Sequence, residues 1–400
     1  MAAISLEEPD RVPVAPRVTA RFLPWLYGSA SWRAQVRAAL DFGYDAYVVV
    51  AFPEVDDPLV ELFTPRKLPP CYRHASQEVR ESPAGPYVRV ERIFKTPAGE
   101  LREVRLVPSD RELARVRREY SSICPPNWVP EGFPYIREHL VRSEADIDKV
   151  EYLIPDPSAV DLRPLAEACR GVGDAGVVAV SLSSPFTWLA HLLGLERAMV
   201  MYYRSRGSLV RLLRALNELT LAEAELAAGA GADLVYVSGC YSSLSVGWGP
   251  RAWRELFKPL IREQASRAHE LGLWYHYYDD GRCADVLLDV AECGVDVLST
   301  LVPPPSGDVD LAEAKRLVGD RVCLKGNVDI EVLRRGTPRD AVAEVRRVLS
   351  QAAEGGGLIL STSDSVHAYT PLENFRAMVR AGVRLGRYPA REITSSRPRP

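Results

Sequence analysis

A cluster of titratable side chains ends one apolar, aromatic segment of the chain, residues 274–281 (WYHYYDDG). Because strand side chains point alternately to two faces, His276, Tyr278 and Asp280 would share one face if this segment is a strand. A parallel α/β barrel carries its reacting groups at the carboxyl ends of its strands. The segment therefore predicts an active-site edge, although the same acids and glycine also suit an ordinary turn at a solvent-facing strand end.

Other apolar segments are also followed by polar or aromatic groups. We interpret these as substrate-binding residues: Phe186 and His191 after 177–182, Ser238 and Tyr241 after 233–237, and Asn327 after 322–325. Asp364 directly follows 358–361, and with His276, Tyr278 and Asp280 it completes the candidate catalytic set. Such hydroxyl, carboxylate and imidazole groups, nearly without lysine, suit acid–base or metal chemistry better than Schiff-base chemistry.

Three of these residues have an alternative, structural interpretation. His191 lies in a helix-like stretch and suits a packing histidine. Asn327 can cap the helix that begins near Asp329. Asp364 lies in Ser-Thr-Ser-Asp-Ser, which is a natural turn sequence. The sequence does not choose between these readings and the functional ones.

The elements that would position these residues follow a regular pattern from about residue 143. Apolar strand-like segments alternate with helical ones across short links containing Gly or Asp, which is typical of parallel βαβ units. Six such strands, one more at 44–52 and an eighth placed at 101–107 predict an α/β fold, a (β/α)8 barrel of the TIM type. No strand is followed by GxGxxG or GxxxxGK[ST], so neither nucleotide-binding fingerprint is present.

We expect a single barrel domain over 21–388, with an irregular elaboration near its start. Alternation around Thr96-Pro97-Ala98-Gly99 predicts a β-hairpin within that elaboration, over 87–107. Residues 1–20 are predicted to form a flexible arm, and residues 389–400 a disordered tail.

Net charge, hydropathy and cysteine spacing limit the partners and the cellular compartment that we expect for this protein. The net charge of −3 gives no basic surface for nucleic acid. No apolar run is long enough to span a membrane, and the start lacks the order of a signal peptide. Seven scattered cysteines without a CxxC pair argue against a disulfide framework. We therefore expect a cytoplasmic protein without nucleic-acid or membrane partners; apolar and aromatic residues in the early irregular region offer a homodimer surface.

An ordered series of motifs resembles the uroporphyrinogen decarboxylase superfamily. The series is 184–187 (SPFT), 231–233 (GAD), 322–329 (VCLKGNVD), 355–361 (GGGLILS) and 370–374 (TPLEN), and it covers roughly residues 145–385. The superfamily includes the decarboxylase of haem biosynthesis and the zinc methyltransferases that move methyl groups between corrinoid proteins and thiols. The resemblance implies a (β/α)8 barrel.

The methyltransferase resemblance implies a divalent metal held by His276, Asp280 and Asp364. The methyltransferases use a His-x-Cys pair and a later Cys, and here carboxylates stand where the thiolates would be. Zinc accepts His and Asp ligands, and without sulfur a harder ion becomes suitable. Metal-assisted methyl transfer, linked to a corrinoid or a thiol and with a corrinoid protein as a partner, is our first functional hypothesis.

The decarboxylase resemblance supplies the second hypothesis, which needs no cofactor. A carboxyl group such as Asp280 or Asp364 would protonate a ring carbon while arginines hold the carboxylates of a tetrapyrrole. The decarboxylase motif RQAGR is not found in 25–29 (WLYGS), the region that we align with it. A third hypothesis is a non-catalytic barrel that binds a corrinoid or tetrapyrrole.

Overall fold

The computed structural model describes residues 1–19, 22–51, 74–109, 135–368 and 370–388. Within them the strands are β1 (Ala46–Ala51), β2 (Ser76–Ala84), β3 (Tyr87–Thr96), β4 (Gly99–Pro108), β5 (Tyr135–Glu138), β6 (Gly176–Ser181), β7 (Leu234–Ser238), β8 (Trp274–Asp279), β9 (Val297–Thr300), β10 (Cys323–Val328) and β11 (Leu358–Thr362). The helices are α1 (Phe22–Tyr27), α2 (Trp32–Phe42), α3 (Ile147–Val150), α4 (Arg163–Val172), α5 (Pro185–Leu193), α6 (Leu195–Arg204), α7 (Arg206–Gly229), α8 (Pro250–Leu256), α9 (Lys258–Glu270), α10 (Leu287–Glu292), α11 (Leu311–Val318), α12 (Ile330–Arg335), α13 (Pro338–Ala352) and α14 (Leu372–Leu385).

Seven strands form one curled sheet in the order β1-β6-β7-β8-β9-β10-β11. The neighbours from β7 to β11 pair in parallel, and helices connect each strand to the next. This arrangement confirms the predicted fold class, an α/β barrel of the TIM type. Local signals explain several element ends: the Ser31 side chain caps the start of α2, and Gly43 ends that helix at a φ of 78°, which favours glycine.

The eighth position of the barrel is filled by a segment near the start of the chain. The Leu360 amide donates to the Pro13 carbonyl at 2.8 Å, and the Ala15 amide donates to the Leu360 carbonyl at 2.9 Å. On the other side, the Asp45 amide donates to the Val14 carbonyl at 2.8 Å. This segment therefore runs between β11 and the residue just before β1.

Two sequence predictions are wrong at this point. The described residues 1–19 are not a flexible arm, because Val12 and Val14 are fully buried and Ala3 and Ile4 pack against the barrel core near Cys323. Burying each valine contributes about 1.5–3 kcal/mol, which holds the segment in place. Nor is the eighth strand at 101–107, since those residues lie in a separate sheet.

The chain divides into two compact units where we expected one domain. The first comprises Met1–Val50, Glu167–Val180 and Gly231–Pro400, and it contains the barrel strands. The second comprises Ala51–Ala166 and Ser181–Ala230. Its four-stranded antiparallel sheet has the order β2-β3-β4-β5, and the hairpin that the alternation over 87–107 predicts is the central pair, β3 and β4. The predicted tail, 389–400, lies outside the described residues.

None of the described helices combines the length and the apolar character needed to cross a bilayer.

A fully buried acid on α7 gives the second unit a pH-dependent stability. The Glu223 carboxyl accepts bonds from the Ser183 amide at 2.6 Å and the Ser183 hydroxyl at 2.8 Å. Burial raises the pKa of Glu223 to about 8, although both bonds oppose the rise. The folded state thus keeps a proton that the unfolded state releases above its ordinary pKa near 4.5.

We expect the free energy of unfolding to fall as pH rises from about 5 through 8, by an amount on the order of a few kcal/mol. Glu223→Gln keeps a neutral group of the same shape, so it should remove most of this fall. Urea unfolding at pH 5, 7 and 9 measures the effect, with Glu218→Gln, an exposed position on the same helix, as the control. An equal pH dependence in wild type and Glu223→Gln would contradict the assignment.

Candidate active site

Strand β8 places its alternate side chains on two different surfaces, as its sequence predicts. Tyr275 points to the helices, where its hydroxyl donates to the Gln264 side chain on α9 at 2.5 Å. Tyr278 packs on the opposite face with Leu234 and Tyr236 of β7. His276 shares that inner face, and its ring meets the Tyr236 ring edge-on at 4.8 Å between centroids. The inner face of β8 is therefore the barrel interior.

One tyrosine hydroxyl joins two carboxylates at the ends of two strands. The Tyr278 hydroxyl lies 3.1 Å from Asp280 Oδ2 and 3.4 Å from Asp364 Oδ1. Asp280 follows β8 and Asp364 follows β11, and the contact between Tyr278 and Asp364 joins residues 86 positions apart in sequence. The Cys240 thiol, just beyond β7, donates to Asp280 Oδ2 at 3.3 Å. Three of the four predicted catalytic residues thus lie together.

An arginine that the sequence reasoning missed completes this group. The Arg17 Nη1 lies 3.1 Å from Asp364 Oδ1, and its guanidinium carbon lies 3.9 Å from the centre of the Tyr278 ring. The other guanidinium N–H groups have no protein acceptor among the described residues. We call Arg17, Cys240, Tyr278, Asp280 and Asp364 the mouth cluster.

The backbone around Arg17 is tied to the strand end that carries Asp364. Its amide donates to the Thr362 hydroxyl at 3.3 Å, and its carbonyl accepts from the Val366 amide at 2.8 Å. A signal for this residue was present in the sequence. Residues 17–21 read Arg-Val-Thr-Ala-Arg, with arginines at the first and fifth positions as in RQAGR. The prediction that the chain lacks such a motif rested on aligning the wrong segment.

A second polar group also lies in the barrel interior. The Tyr47 hydroxyl is 2.7 Å from His276 Nδ1, and Lys325 Nζ donates to the Ser361 hydroxyl at 3.0 Å. The same Nζ lies 5.0 Å from the centre of the Tyr47 ring. We call Tyr47, His276, Lys325 and Ser361 the inner group. Barrel interiors are usually filled by branched apolar side chains, so a polar layer here is unusual.

Burial keeps two members of the inner group away from their ordinary charge states. It lowers the pKa of His276 well below its usual value, and the nearby cations of Lys325 and Arg17 lower it further. It also lowers the pKa of Lys325 to about 7, again with help from Arg17. His276 is therefore neutral at pH 7, and its Nε2 has no hydrogen-bond partner in the described part of the chain.

The predicted metal ligands do not form a metal site. Asp364 is engaged by Arg17 and Asp280 by a thiol and a phenol, whereas His276 is bonded to Tyr47 instead of facing the two acids. Across the described residues, no three His, Cys, Asp or Glu side chains lie close enough together to hold a metal ion. The donor set therefore does not fit the zinc that the methyltransferase resemblance implies, and the predicted triad is wrong.

The other predicted substrate-binding residues near the barrel strands differ in where they lie: one is beside the mouth cluster and the others have structural contacts. The Ser238 hydroxyl lies 3.0 Å from the Cys240 sulfur, beside the mouth cluster. The Tyr241 carbonyl accepts from the Trp248 indole. Asn327 is fully buried: its amide nitrogen donates to the Leu301 carbonyl at 2.8 Å, and Arg347 donates to its side-chain oxygen at 3.1 Å. Asn327 thus has a structural position, and the helix that follows is capped by Asp329 instead.

Two further candidates belong to the other compact unit. Phe186 and His191 both lie on α5, where Phe186 is almost fully buried. Burial lowers the pKa of His191 to about 3, with Arg105 and His139 adding to the effect. The His191 carbonyl also accepts from His139 at 2.8 Å. This core position agrees with the alternative interpretation of His191 as a packing histidine.

Comparison with known proteins adds an independent line of evidence. A family model described as uroporphyrinogen decarboxylase (URO-D) matches residues 124–384. Similar proteins include a methylcobamide:CoM methyltransferase, MtaA, of Methanosarcina barkeri, which is 26% identical over 200 residues, or 50% of this chain and 56% of that protein. A uroporphyrinogen decarboxylase of Alkalilimnicola ehrlichii is 28% identical over 264 residues, or 61% of this chain and 67% of that protein.

A solved structure supports the same fold. A methyltransferase from Methanosarcina mazei superposes with a TM-score of 0.60 over 96% of both chains, at 16% sequence identity. The chain spans little more than half the length of the Methanosarcina barkeri methyltransferase that it matches.

Proposed function

Because the chain belongs to the uroporphyrinogen decarboxylase (URO-D) family, we propose that it is an enzyme that removes CO2 from a carboxylate-bearing substrate by proton transfer at the mouth cluster. The observation that carries this proposal is the Tyr278 hydroxyl shared by Asp280 and Asp364, with Arg17 fixed beside it. Relatives in the family include both decarboxylases and a methyltransferase.

Arg17 is the group that binds the substrate carboxylate. A guanidinium can hold a carboxylate through two parallel N–H bonds, and only one of its N–H groups is used by Asp364. Contact with the Tyr278 ring fixes the orientation of the Arg17 guanidinium. The substrate would therefore lie next to the Tyr278 hydroxyl.

The surrounding charges give the two acids different roles. Asp364 has a cation partner in Arg17, whose Nη1 lies 3.1 Å from Asp364 Oδ1. Asp280 has no cation within ion-pair distance in the described residues; it accepts instead from two neutral donors, Cys240 and Tyr278. Asp280 is thus the acid better suited to deliver a proton to the carbon that loses CO2, with Tyr278 orienting it.

A screen for CO2 release tests the proposal. Carboxylic acids of several classes, including pyrrole acetates and keto acids, are incubated with the purified protein while membrane-inlet mass spectrometry follows CO2. Release from at least one class by wild type, and its loss in Asp280→Asn, is the expected result. Absence of CO2 from every class would count against the proposal.

We expect removal of divalent metals to leave this activity unchanged, because no step is assigned to an ion. Dialysis against EDTA and then 1,10-phenanthroline, with elemental analysis of the product, measures the effect on turnover. Loss of activity that zinc restores would show that a metal takes part.

Methyl transfer is the second candidate, and the Cys240 thiol beside Asp280 favours it. Burial raises the pKa of this thiol, so it is protonated at neutral pH. Because the thiolate is the reactive form, a thiol that stays protonated is a weak methyl acceptor. Transfer of a methyl group from methylcobalamin to a small thiol by the zinc-loaded protein would establish this alternative.

A non-catalytic barrel is less well supported. Such a barrel needs no convergence of reactive groups. Here three successive contacts of 3.1, 3.4 and 3.1 Å link Arg17 to Asp364, Asp364 to Tyr278 and Tyr278 to Asp280.

A further inference from the structure

Lys325 stands apart from the other lysines of the described chain. It lies on β10, is only 5% exposed, and makes its hydrogen bond to a neutral hydroxyl, that of Ser361. By contrast, Lys149 and Lys258 pair with acids at 2.9 and 2.7 Å. Lys315 also bonds to a neutral group, the Gly356 carbonyl, but it is only partly buried. No carboxylate lies within ion-pair distance of Lys325 Nζ in the residues that the structure describes.

The sheet register places Lys325 on the row of the mouth cluster. Lys325 and Tyr278 both align with Ser299 of β9, one strand to either side. Two strand spacings separate their Cα atoms by roughly 10 Å. Both side chains point into the barrel, so a substrate held at Tyr278 lies within reach of the long lysine side chain.

The surroundings favour the neutral amine. Burial is the largest influence on the pKa of Lys325, which it lowers to about 7. The Arg17 cation lowers this pKa further, whereas Cys323 raises it. Within the inner group, Lys325 has the neutral His276 ring and the Tyr47 phenol as neighbours. Burial raises the pKa of the Tyr47 phenol, so this group is neutral as well. Removal from water and a neighbouring cation are the two devices that activate lysine nucleophiles in enzymes.

We propose that Lys325 is a nucleophilic amine that forms an imine with a substrate carbonyl, so that the substrate is a carboxylate carrying a carbonyl β to the carboxyl group. This substrate class rests on the proposed decarboxylase function; the amine assignment does not.

The Nζ lone pair bonds to the carbonyl carbon, and the carbonyl oxygen leaves as water with the two amine protons. The imine nitrogen takes up one proton from solvent. The C–C bond to the carboxylate then breaks and CO2 leaves. The electron pair of that bond forms the C=C bond of an enamine, and the π electrons of the C=N bond move to nitrogen. Asp280 protonates the carbon, and water hydrolyses the new imine to release a ketone and the amine.

Reductive trapping tests the amine directly. The protein is incubated with acetone or acetoacetate and sodium borohydride between pH 6 and 10, and the peptides are analysed by mass spectrometry. We expect a reduced adduct on Lys325 with a midpoint near pH 7, because the neutral amine forms as pH rises through its pKa. Lys95, which is exposed on β3, is the internal control. Modification of Lys95 without an adduct on Lys325 at any pH would overturn the inference.

Two variants separate this inference from the proposed function. Lys325→Met fills the same space without an amine, and Lys325→Arg keeps the charge but cannot form an imine. Thermal unfolding verifies that each is folded. If wild type releases CO2 and Lys325→Met does so at the same rate, the inference is overturned and the decarboxylase proposal stands. If the Lys325 adduct forms but no carboxylate releases CO2, the amine assignment stands and the decarboxylase proposal falls.

Discussion

Replacing Asp280 by asparagine lowers kcat for CO2 release by about 10²- to 10⁴-fold, the usual contribution of a general acid or base. Asparagine keeps the shape and can still accept the bonds from Cys240 and Tyr278. It has no proton to give to carbon, so the chemical step is affected more than substrate binding. Steady-state kinetics should therefore show a large fall in kcat with a small change in KM.

Asp285→Asn is the matched control for this variant. Asp285 is exposed five residues further along the chain, and its carboxyl has no assigned role. We expect it to retain wild-type kinetics. A wild-type kcat in Asp280→Asn, in protein that unfolds at the wild-type temperature, would remove Asp280 from the mechanism.

Replacing Arg17 by methionine lowers kcat/KM by about 10- to 150-fold, since hydrogen bonds to charged groups contribute about 1.5–3 kcal/mol. The loss follows from removing the only cation of the mouth cluster, which faces the substrate carboxylate and Asp364. Arg17→Lys restores the charge but not the planar fork, so we expect only partial recovery.

Arg11→Met distinguishes this effect from a general weakening of the segment near the start of the chain, which fills the eighth position of the barrel. Arg11 binds Asp45 through two bonds of 2.7 Å and anchors the same stretch of chain without reaching the mouth cluster. We expect Arg11→Met to lower the unfolding temperature and to leave kcat/KM near wild type. Equal kinetic losses in Arg11→Met and Arg17→Met would mean that Arg17 acts only by holding the segment.

The carboxyl ends of parallel strands lie on one edge of a barrel, and this rule predicted that Asp280 and Asp364 lie close together. It needed only the strand positions, which the apolar runs before Gly281 and Asp364 mark clearly. The same rule could not find Lys325, because that residue lies inside a strand and not beyond its end. Its importance depends on burial without an acid partner, which no sequence pattern reveals.

The first segment was missed for a different reason. Pro13 and Pro16 interrupt the short alternation of Val12 and Val14, and proline-rich stretches usually mark linkers. Here the pairing uses mainly the carbonyls of Pro13 and Val14 and the amide of Ala15, so the prolines do not disturb it. Only the tertiary structure shows that this stretch fills the barrel and carries Arg17 into the site.

The metal hypothesis failed on one contact that spacing could not predict. The histidine and acid types suggested by the resemblance are present, but the Tyr47 hydroxyl, 229 residues away in sequence, bonds to His276 Nδ1. That bond keeps His276 in the inner group, while the two acids belong to the mouth cluster.

The most direct test of proton transfer at the mouth cluster is a reaction in D2O with metal-free protein. Mass spectrometry and NMR then follow CO2 and the product of any carboxylate that the protein consumes. We expect one CO2 released for each deuteron bound to the carbon that lost it, and loss of both signals in Asp280→Asn. Metal-free protein that consumes no carboxylate, together with zinc-dependent methylation of a thiol by the same preparation, would contradict it.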